Sequence, residues 1–562
     1  MHGTYPVLTF KDIQNINWFI ADTIRDKGNG ASSDYKSVAV PLIVLKRFLD
    51  MREEYKRNKL NSDDVLFDHV LEGNFDTFLN NSVEFIANLI PDQKPYLHKD
   101  GFQNWYDIEW DDIEAYQAHS SREMQGYKLG NNEDPLFSKR ATVQTNAGDR
   151  VEFLYQIANS FWYGATDDCF RVMEFEKKSR KILPNDAMLE IINELGKYKF
   201  DLEHAPEDVF GDAYMDLMGR FASDEGKKGG EFFTPSSLVS NGVRLLQPKM
   251  KEKGRTAVSD ITSGACTFMT YAGEALQRQI NPNGDIEDKE VKRLMRENVD
   301  FITQEKAEAS ELLGRVNMML HGYTTNHFSY LGNTITEWGN KIGQHKGTVD
   351  YLFANPPYGL KDYGFEYAQN MSLQNESRWQ WGVPPKGEGE YAFLNSIIDL
   401  LNSQGKALVV MPLGTLFKNL TRKMRERYIN ADIVEGIINL PDSLFYTTGI
   451  PVCLWILNME KDEADKGKIF MVNAEDDFKK VGNIKEWLAD KAVEHYTERK
   501  ELEGYAEYVN YETLAENDFN LAVTRYVYED SVLDDVDINE LLGEIDQLKQ
   551  NIVSFNSLEV IE

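Results

Sequence analysis

A short polar and aromatic sequence follows an apolar run in the second half of the chain. Residues 349–354 read Val-Asp-Tyr-Leu-Phe-Ala, and the next four are Asn355-Pro356-Pro357-Tyr358. The prolines fix the backbone at a strand end, so an amide, a carbonyl and an aromatic ring are held together there. Such acceptors suit a planar amino group that gains positive charge as it reacts. These residues predict methyl transfer to an exocyclic base nitrogen; the structural alternative is a proline-stiffened turn.

Two other apolar runs end in residues that can hold a cofactor. The first ends at Asp260 and leads into a small-residue loop, Thr262-Ser263-Gly264-Ala265-Cys266-Thr267, which presents backbone N–H groups at the start of a helix. The second ends at Glu305, whose carboxylate can accept both hydroxyl groups of a ribose. Asn333 follows a Leu-Gly pair and can pair with an adenine edge. Taken singly, these residues also fit a tight turn, a helix-start acid and a turn asparagine.

The elements that position these loops are predicted from alternating apolar runs and helical patterns. Helical patterns cover residues 306–320 and 391–401. The predicted strands are 256–261, 300–303, 349–354, 407–411, 433–440 and 468–472. This alternation predicts an α/β fold with a parallel sheet, and ligands bind outside the carboxyl ends of strands in such sheets.

The two ends of the chain have different patterns. Residues 1–205 contain several stretches with helical spacing, among them 35–56, and predict a helical N-terminal domain. We predict a catalytic domain over residues 206–528 and a C-terminal helix over residues 529–562. The terminal segment has apolar residues in a 3-4-3-4-3 spacing, which predicts a coiled-coil seam or a helix packed on its own domain. The seam residues are Ile538, Leu541, Ile545, Leu548, Ile552 and Phe555.

Composition restricts the class of protein. The 562 residues are 42% apolar, contain no apolar stretch long enough for a membrane span and begin without a secretory pattern, so we expect a cytoplasmic protein with no membrane contact. The three cysteines are far apart, and no metal site is predicted. The net charge of -31 would repel nucleic acid. One cluster of basic residues fits a solvated helix face better than a DNA-binding surface. A DNA substrate would therefore be bound together with a partner protein. The cluster is Lys418, Arg422, Lys423, Arg425 and Arg427.

Several motifs together carry a family resemblance. Asn355-Pro356-Pro357-Tyr358 resembles the catalytic motif of S-adenosylmethionine-dependent amino-methyltransferases, in the form typical of DNA adenine-N6 enzymes. Gly230-Glu231-Phe232-Phe233-Thr234-Pro235 resembles a signature of the modification (M) subunits of type I restriction-modification systems. Gln304-Glu305, Asn317-Met318-Met319-Leu320-His321-Gly322 and Leu440-Pro441-Asp442-Ser443-Leu444-Phe445 continue the resemblance. It implies a Rossmann-like methyltransferase domain between a helical N-terminal domain and a C-terminal helical tail.

The resemblance also implies roles for residues. Asn355, Pro356, Pro357 and Tyr358 would be catalytic: the Asn355 side chain and the Pro356 carbonyl accept hydrogen bonds from N6 of a flipped adenine, and Tyr358 stacks on its ring. S-adenosylmethionine would be the cofactor. Its binding residues would be Glu231, Phe232, Phe233, Thr234, Pro235, Ser236, Asp260, Thr262, Ser263, Gly264, Ala265, Cys266, Thr267, Glu305 and Asn333.

Two of these residues depart from the family pattern. Asn333 stands where the family usually has Asp, and an amide can serve because it donates as well as accepts. Cys266 stands where the family has the second loop glycine. A β-carbon there would weaken cofactor binding if the position needs φ > 0, whereas ordinary dihedrals would leave binding intact. Both outcomes stay open at this point.

The implied partners are double-stranded DNA and a specificity (S) subunit that carries two copies of this chain and meets its C-terminal helix. A restriction (R) subunit is a further partner in such complexes. Two alternative functions remain. One is a cofactor-deficient subunit for assembly and DNA binding, suggested by Cys266. The other is methylation of a different planar amide or amine, such as a glutamine side chain.

Overall fold

The structure is a computed structural model that describes most of the catalytic region and parts of the N-terminal region. The described residues are 6–28, 38–39, 41–43, 46–47, 50, 175–200, 204–205, 234–286, 288–321, 323, 326–445, 449–481 and 484–528. Three groups of predictions lie outside these ranges: Glu231, Phe232 and Phe233, the seam residues at 538–555, and the N-terminal region from 51 to 174. No helix among the residues that the structure describes is long and apolar enough to cross a membrane.

The described N-terminal residues are mainly helical. Helix α1 (Phe10–Lys27) begins with a capping box in which Asp12 Oδ2 accepts from Thr9 N at 2.9 Å, and α2 (Phe175–Ile182) and α3 (Asn185–Leu195) follow. Helix α1 packs on α3. The described residues between 38 and 50 are helical and buried, and Lys46 and Asp50 form a buried ion pair at 2.5 Å. The helical prediction is therefore confirmed for these residues.

Nine strands of the described chain form one sheet in the order β11-β8-β6-β7-β5-β4-β1-β2-β3. The strands are β1 (Thr256–Asp260), β2 (Val299–Glu305), β3 (His327–Leu331), β4 (Val349–Ala354), β5 (Leu401–Pro412), β6 (Val434–Asn439), β7 (Val452–Asn458), β8 (Lys468–Asn473) and β11 (Ala506–Asn510). Strands β9 (Phe478–Val481) and β10 (Ile484–Trp487) form a separate hairpin.

Helices cover both faces of this sheet. They are α4 (Ser236–Leu246), α5 (Thr267–Ile280), α6 (Asp288–Asn298), α7 (Glu308–Leu320), α8 (Phe365–Leu373), α9 (Glu390–Leu400), α10 (Arg422–Asn430), α11 (Asp490–Glu498) and α12 (Tyr511–Glu516). Strand β5 shows why two cores form: Ala407, Val409 and Met411 belong to one buried cluster, while Leu408 and Val410 belong to the other. The α/β fold class is confirmed.

All six predicted strands are present and run in the same direction, whereas β3, β7 and β11 were not predicted, and β7 and β11 make the sheet mixed. Strand β7 lies between β5 and β6 and is antiparallel to both, and β11 is antiparallel to β8. A parallel crossover takes a dozen or more residues and usually a helix, and no helix is described between β6 and β7. The chain therefore turns back directly into an antiparallel neighbour.

Candidate functional site

The loop after β1 lies beside the end of β2. The two strands pair in parallel register, with Asp260 opposite Thr303. Ser263 N donates to the carbonyl of Gln304 at 3.1 Å, and Gly264 N donates to Glu305 Oε2 at 2.9 Å. Two residues that the sequence placed in separate loops, Gly264 and Glu305, are therefore in direct contact. A β-carbon built on Gly264 would meet no atom within 4 Å, so the backbone borders open space here.

Glu305 holds the backbone on both sides of the site. Its Oε1 accepts from Ala307 N at 2.9 Å, at the start of the segment leading into α7, while Oε2 binds the loop after β1. A carboxylate offers about four acceptor positions, and these two backbone bonds fix the orientation of the Glu305 side chain at the end of β2. The neighbouring Gln304 side chain is buried and bonds to Gly332 O and Ile342 N, both at 3.1 Å, which fixes the loop that carries Asn333.

Asn333 forms a turn of its own. Its Oδ1 accepts from Ile335 N at 2.9 Å and from Thr336 N at 3.3 Å. Both interpretations of Asn333, turn residue and adenine contact, are compatible with this geometry, because the side-chain Nδ2 is a separate donor. Gly332 N donates to the Glu305 carbonyl at 2.8 Å, so Asn333 lies close to the predicted ribose site.

Asp260 is a buried acid. Its side chain accepts from Thr262 N at 2.9 Å and is 2% exposed. Burial raises the pKa of this carboxyl to about 8, the negative charge of Glu305 adds to the shift, and the Thr262 hydrogen bonds oppose it. At neutral pH Asp260 therefore keeps its proton unless a cation approaches.

Cys266 adopts a left-handed backbone conformation, with φ +60° and ψ +28°, immediately before α5. The sequence-based alternative of ordinary dihedrals at this position is wrong, because the loop must reverse direction here to start the helix. The thiol is 1% exposed, and burial raises its pKa. Its Sγ lies against Gly314 of α7, where a β-carbon would approach Sγ to 2.6 Å. The side chain is therefore accommodated by a glycine on the facing helix.

We expect Cys266→Gly to change the free energy of unfolding by less than about 1 kcal/mol, because the relief of left-handed backbone strain offsets the loss of the buried thiol. Gly314→Ala should destabilise it by about 2 kcal/mol through overpacking. In the double variant the Sγ contact is gone but a 2.9 Å approach to Gly264 O remains, so we expect partial recovery. Thermal unfolding of all four proteins measures this coupling; strictly additive effects would contradict the contact.

The predicted catalytic motif, residues 355–358, lies at the carboxyl end of β4 and contacts the segment before α4. Asn355 Nδ2 donates to Thr234 Oγ1 at 2.9 Å, and Tyr358 Oη donates to Asn355 Oδ1. Pro235 and Ser236 follow at the start of α4. The structure thus brings Thr234, a predicted cofactor-binding residue, against the side-chain amide of Asn355.

Tyr358 is directed inward. It is 8% exposed and packs in the core with Phe268 and Phe353, and burial raises its pKa well above the usual range. Stacking on a flipped base requires this ring to turn outward and its hydroxyl to leave Asn355. The stacking role of Tyr358 stays a prediction, and it requires this outward rotation of the ring.

Glu390 was missed by the sequence analysis. This first residue of α9 is 3% exposed, and its Oε1 accepts from Gly359 N, directly after Tyr358, at 2.7 Å. The only signal is the sequence Gly387-Glu388-Gly389-Glu390, and an acid in the first turn of a helix is ordinary.

The predicted solvated basic face is wrong for Arg425. It is 1% exposed and donates to the Phe519 carbonyl at 2.8 Å and the Lys418 carbonyl at 2.9 Å. Lys423 and Arg427 are exposed, in agreement with the prediction. Arg425 therefore joins chain segments, and the surface positive charge here is smaller than the sequence suggests.

The N-6 DNA methylase family matches residues 205–535, more than half of the chain. The chain belongs to this family. The sequence-based family resemblance is confirmed.

Several curated relatives are methylase subunits. The chain is 28% identical over 379 residues to the methylase subunit of the type I restriction enzyme MjaVII of Methanocaldococcus jannaschii, covering 65% of this chain and 61% of the relative. It is 24% identical over 542 residues to the MjaIX methylase subunit of the same organism, covering 92% and 84%. The chain thus covers 61% of the length of the MjaVII subunit, about three fifths of that relative.

Solved structures show the same fold. The type I restriction-modification methyltransferase subunit of Streptococcus thermophilus matches with a TM-score of 0.66 at 21% identity, covering 92% of this chain and 100% of that chain. A modification subunit of a putative type I restriction enzyme from Vibrio vulnificus matches with a TM-score of 0.54 at 16% identity, covering 91% and 94%. The methyltransferase fold of the catalytic domain is therefore shown.

Proposed function

We propose that this chain transfers a methyl group from S-adenosylmethionine to N6 of a flipped adenine in DNA, as the modification subunit of a type I restriction-modification complex. One observation carries the proposal. The Asn355 amide lies at the carboxyl end of β4, bonded to Thr234 at 2.9 Å, while the loops after β1 and β2 are joined through Glu305 and Gly264 at 2.9 Å. Asn355, the proposed amine-binding residue, and Glu305, the proposed nucleoside-binding residue, thus lie at the carboxyl ends of β4 and β2, the two strands that flank β1.

The residues present fit the methyl donor. Asp260 is a buried, proton-bearing acid that a cationic amine would ionise, and Gly264 borders open space. The Glu305 carboxylate would accept from the ribose hydroxyl groups, and Asn333 follows at the end of the adjacent strand. We assign the rest of the loop, 262–267, and the segment 231–236 to the same site. Bound S-adenosylmethionine supplies an activated methyl group on a cationic sulfur.

The chain's own contribution to the reaction is to hold and polarise the amine. Asn355 Oδ1 and the Pro356 carbonyl accept the two N6 hydrogens, and these bonds strengthen as the nitrogen becomes cationic. The Tyr358 hydroxyl must leave Asn355 Oδ1 first, which couples outward rotation of the ring to capture of the base. Because an adenine in a duplex is inaccessible, the base must be flipped.

Partners follow from the charge and the relatives. With a net charge of -31, this chain needs help to hold DNA, and a specificity subunit would supply it. We propose two copies of the chain per specificity subunit, contact through the seam at 538–555, and a restriction subunit as a further partner. The domain limits 1–205, 206–528 and 529–562 belong to this proposal, as does action in the cytoplasm, where the DNA lies.

Labelled methyl transfer to unmethylated duplex DNA tests the proposal. We expect transfer when the chain is co-purified with its specificity subunit and at least 10²-fold less with the chain alone, because the acidic chain binds DNA weakly by itself. Absence of transfer in the complex, restored by Cys266→Gly, would favour a cofactor-deficient assembly subunit. Label that enters protein glutamine instead of DNA would favour the other alternative.

A further inference from the structure

Glu390 is fixed against the catalytic loop. Every residue of α9 is buried, and Glu390 begins this helix. Its Oε1 accepts from Gly359 N at 2.7 Å, and Gly359 has φ +64°. The residue immediately before Gly359 is Tyr358, whose hydroxyl bonds to Asn355. The carboxyl group therefore lies at the end of the segment that carries the catalytic amide.

The second oxygen of Glu390 is in an unusual position. Oε2 is buried and accepts no hydrogen bond from any residue that the structure describes. Glu388, two residues earlier, is also buried at 7% exposure, but both of its carboxylate oxygens are hydrogen-bonded. They accept from Lys418 Nζ at 3.1 and 2.9 Å. A buried carboxylate oxygen without a donor is costly, and a ligand that brings an N–H group or a positive charge removes that cost.

We propose that Glu390 is a further catalytic residue of the methyl-transfer site: its Oε2 shares with Asn355 Oδ1 one of the two hydrogens of the target amino group, while Oε1 holds the catalytic loop through Gly359. The inference rests on the proposed function and names an anionic acceptor for it. The amine becomes cationic as its nitrogen bonds to the methyl carbon and the sulfur keeps the electron pair of the broken carbon–sulfur bond; the nitrogen then gives the shared proton to Glu390 Oε2. Asn355 and Pro356 offer only neutral dipoles, whereas a carboxylate away from water stabilises that charge strongly.

Glu390→Gln separates this role from simple support of the loop. The carbonyl oxygen of glutamine can still accept from Gly359 N, but its NH₂ group cannot accept from the target amine. We expect the single-turnover rate of methyl transfer to fall about 10²-fold or more. Affinity for S-adenosylmethionine and the unfolding temperature should stay close to wild type. Glu388→Gln is the matched control, and we expect it to keep the wild-type rate.

A binding measurement supplies a readout independent of turnover. Wild type should bind target DNA with adenine more tightly than DNA whose target purine lacks the 6-amino group. In Glu390→Gln this ratio of affinities should be at least threefold smaller. If glutamine prevents folding, Glu390→Asp and Glu390→Asn make the same comparison one methylene shorter, with the Asp form expected to be faster.

The outcomes separate the two proposals. A Glu390→Gln protein with the wild-type rate and preference overturns the role of Oε2 and leaves the methyltransferase assignment intact. Failure of wild type to methylate DNA in the complex overturns the proposed function itself.

Discussion

Asn355→Ala should lower the single-turnover rate of methyl transfer by about 10³-fold, the range measured when one preorganised transition-state hydrogen-bonding group is removed. Asn355 Nδ2 donates to Thr234 Oγ1 at 2.9 Å, and the Tyr358 hydroxyl donates to Asn355 Oδ1, so the acceptor is already oriented. Alanine leaves the amine one acceptor short as positive charge develops. Rapid-quench measurement with the specificity subunit present tests this.

Tyr358→Phe is the matched control for Asn355→Ala. It removes the hydroxyl that bonds to Asn355 but keeps the ring. We expect transfer to be retained, since Asn355 Oδ1 no longer has to be released by the tyrosine before it accepts the base. An Asn355→Ala protein with more than a tenth of the wild-type rate would refute the catalytic assignment.

Asp260→Asn should weaken S-adenosylmethionine binding about 30-fold, because a hydrogen bond to a charged group contributes roughly 2 kcal/mol. The wild-type carboxyl has a pKa of about 8 without a nearby cation, and a cationic amine favours its ionised form. Binding to wild type at neutral pH should therefore release a proton, and binding to the variant should not. Calorimetry in buffers of different ionisation enthalpy counts that proton.

Asp260→Asn weakens cofactor binding, but it should raise the free energy of unfolding of the ligand-free protein above pH 3.8 as the pH rises. The folded pKa of Asp260, about 8, lies above the unfolded value of 3.8, so the folded protein binds more protons between these limits. Wild type therefore loses up to about 1.4 kcal/mol of unfolding free energy per pH unit across this window, relative to Asp260→Asn. Denaturant unfolding of ligand-free wild type and Asp260→Asn at pH 5 and pH 7 measures this loss. If the difference in unfolding free energy between the two proteins is the same at both pH values, Asp260 is not a buried acid that keeps its proton.

Sequence patterns predicted the elements with strong apolar signals. Strand β4 agrees with the predicted residues 349–354, and β1 and β2 differ only at their ends. Strand β3 gives a weak signal because its residues are only partly buried at the sheet edge. The run Val452–Asn458 is fully buried, but its antiparallel insertion depends on pairing with β5, which local sequence does not encode.

The candidate site divides in the same way. Asp260, Glu305 and Asn355 follow strand ends, and parallel strands bring such ends together. The left-handed conformation of Cys266, the inward position of Tyr358 and the contact of Glu390 with Gly359 each depend on another element packing against them. Composition and spacing carry no information on those contacts.

The position of β7 imposes an order on biosynthesis. Strands β5 and β6 emerge from the ribosome before β7, yet β7 is the strand that joins them. Until residue 458 is made, the catalytic half of the sheet has an open edge at β5 and cannot bond to β6. Open strand edges invite pairing with other chains. The growing protein thus passes through a stage in which β5, next to the strand that carries the proposed methyl-transfer site, is an open edge that other chains can pair with.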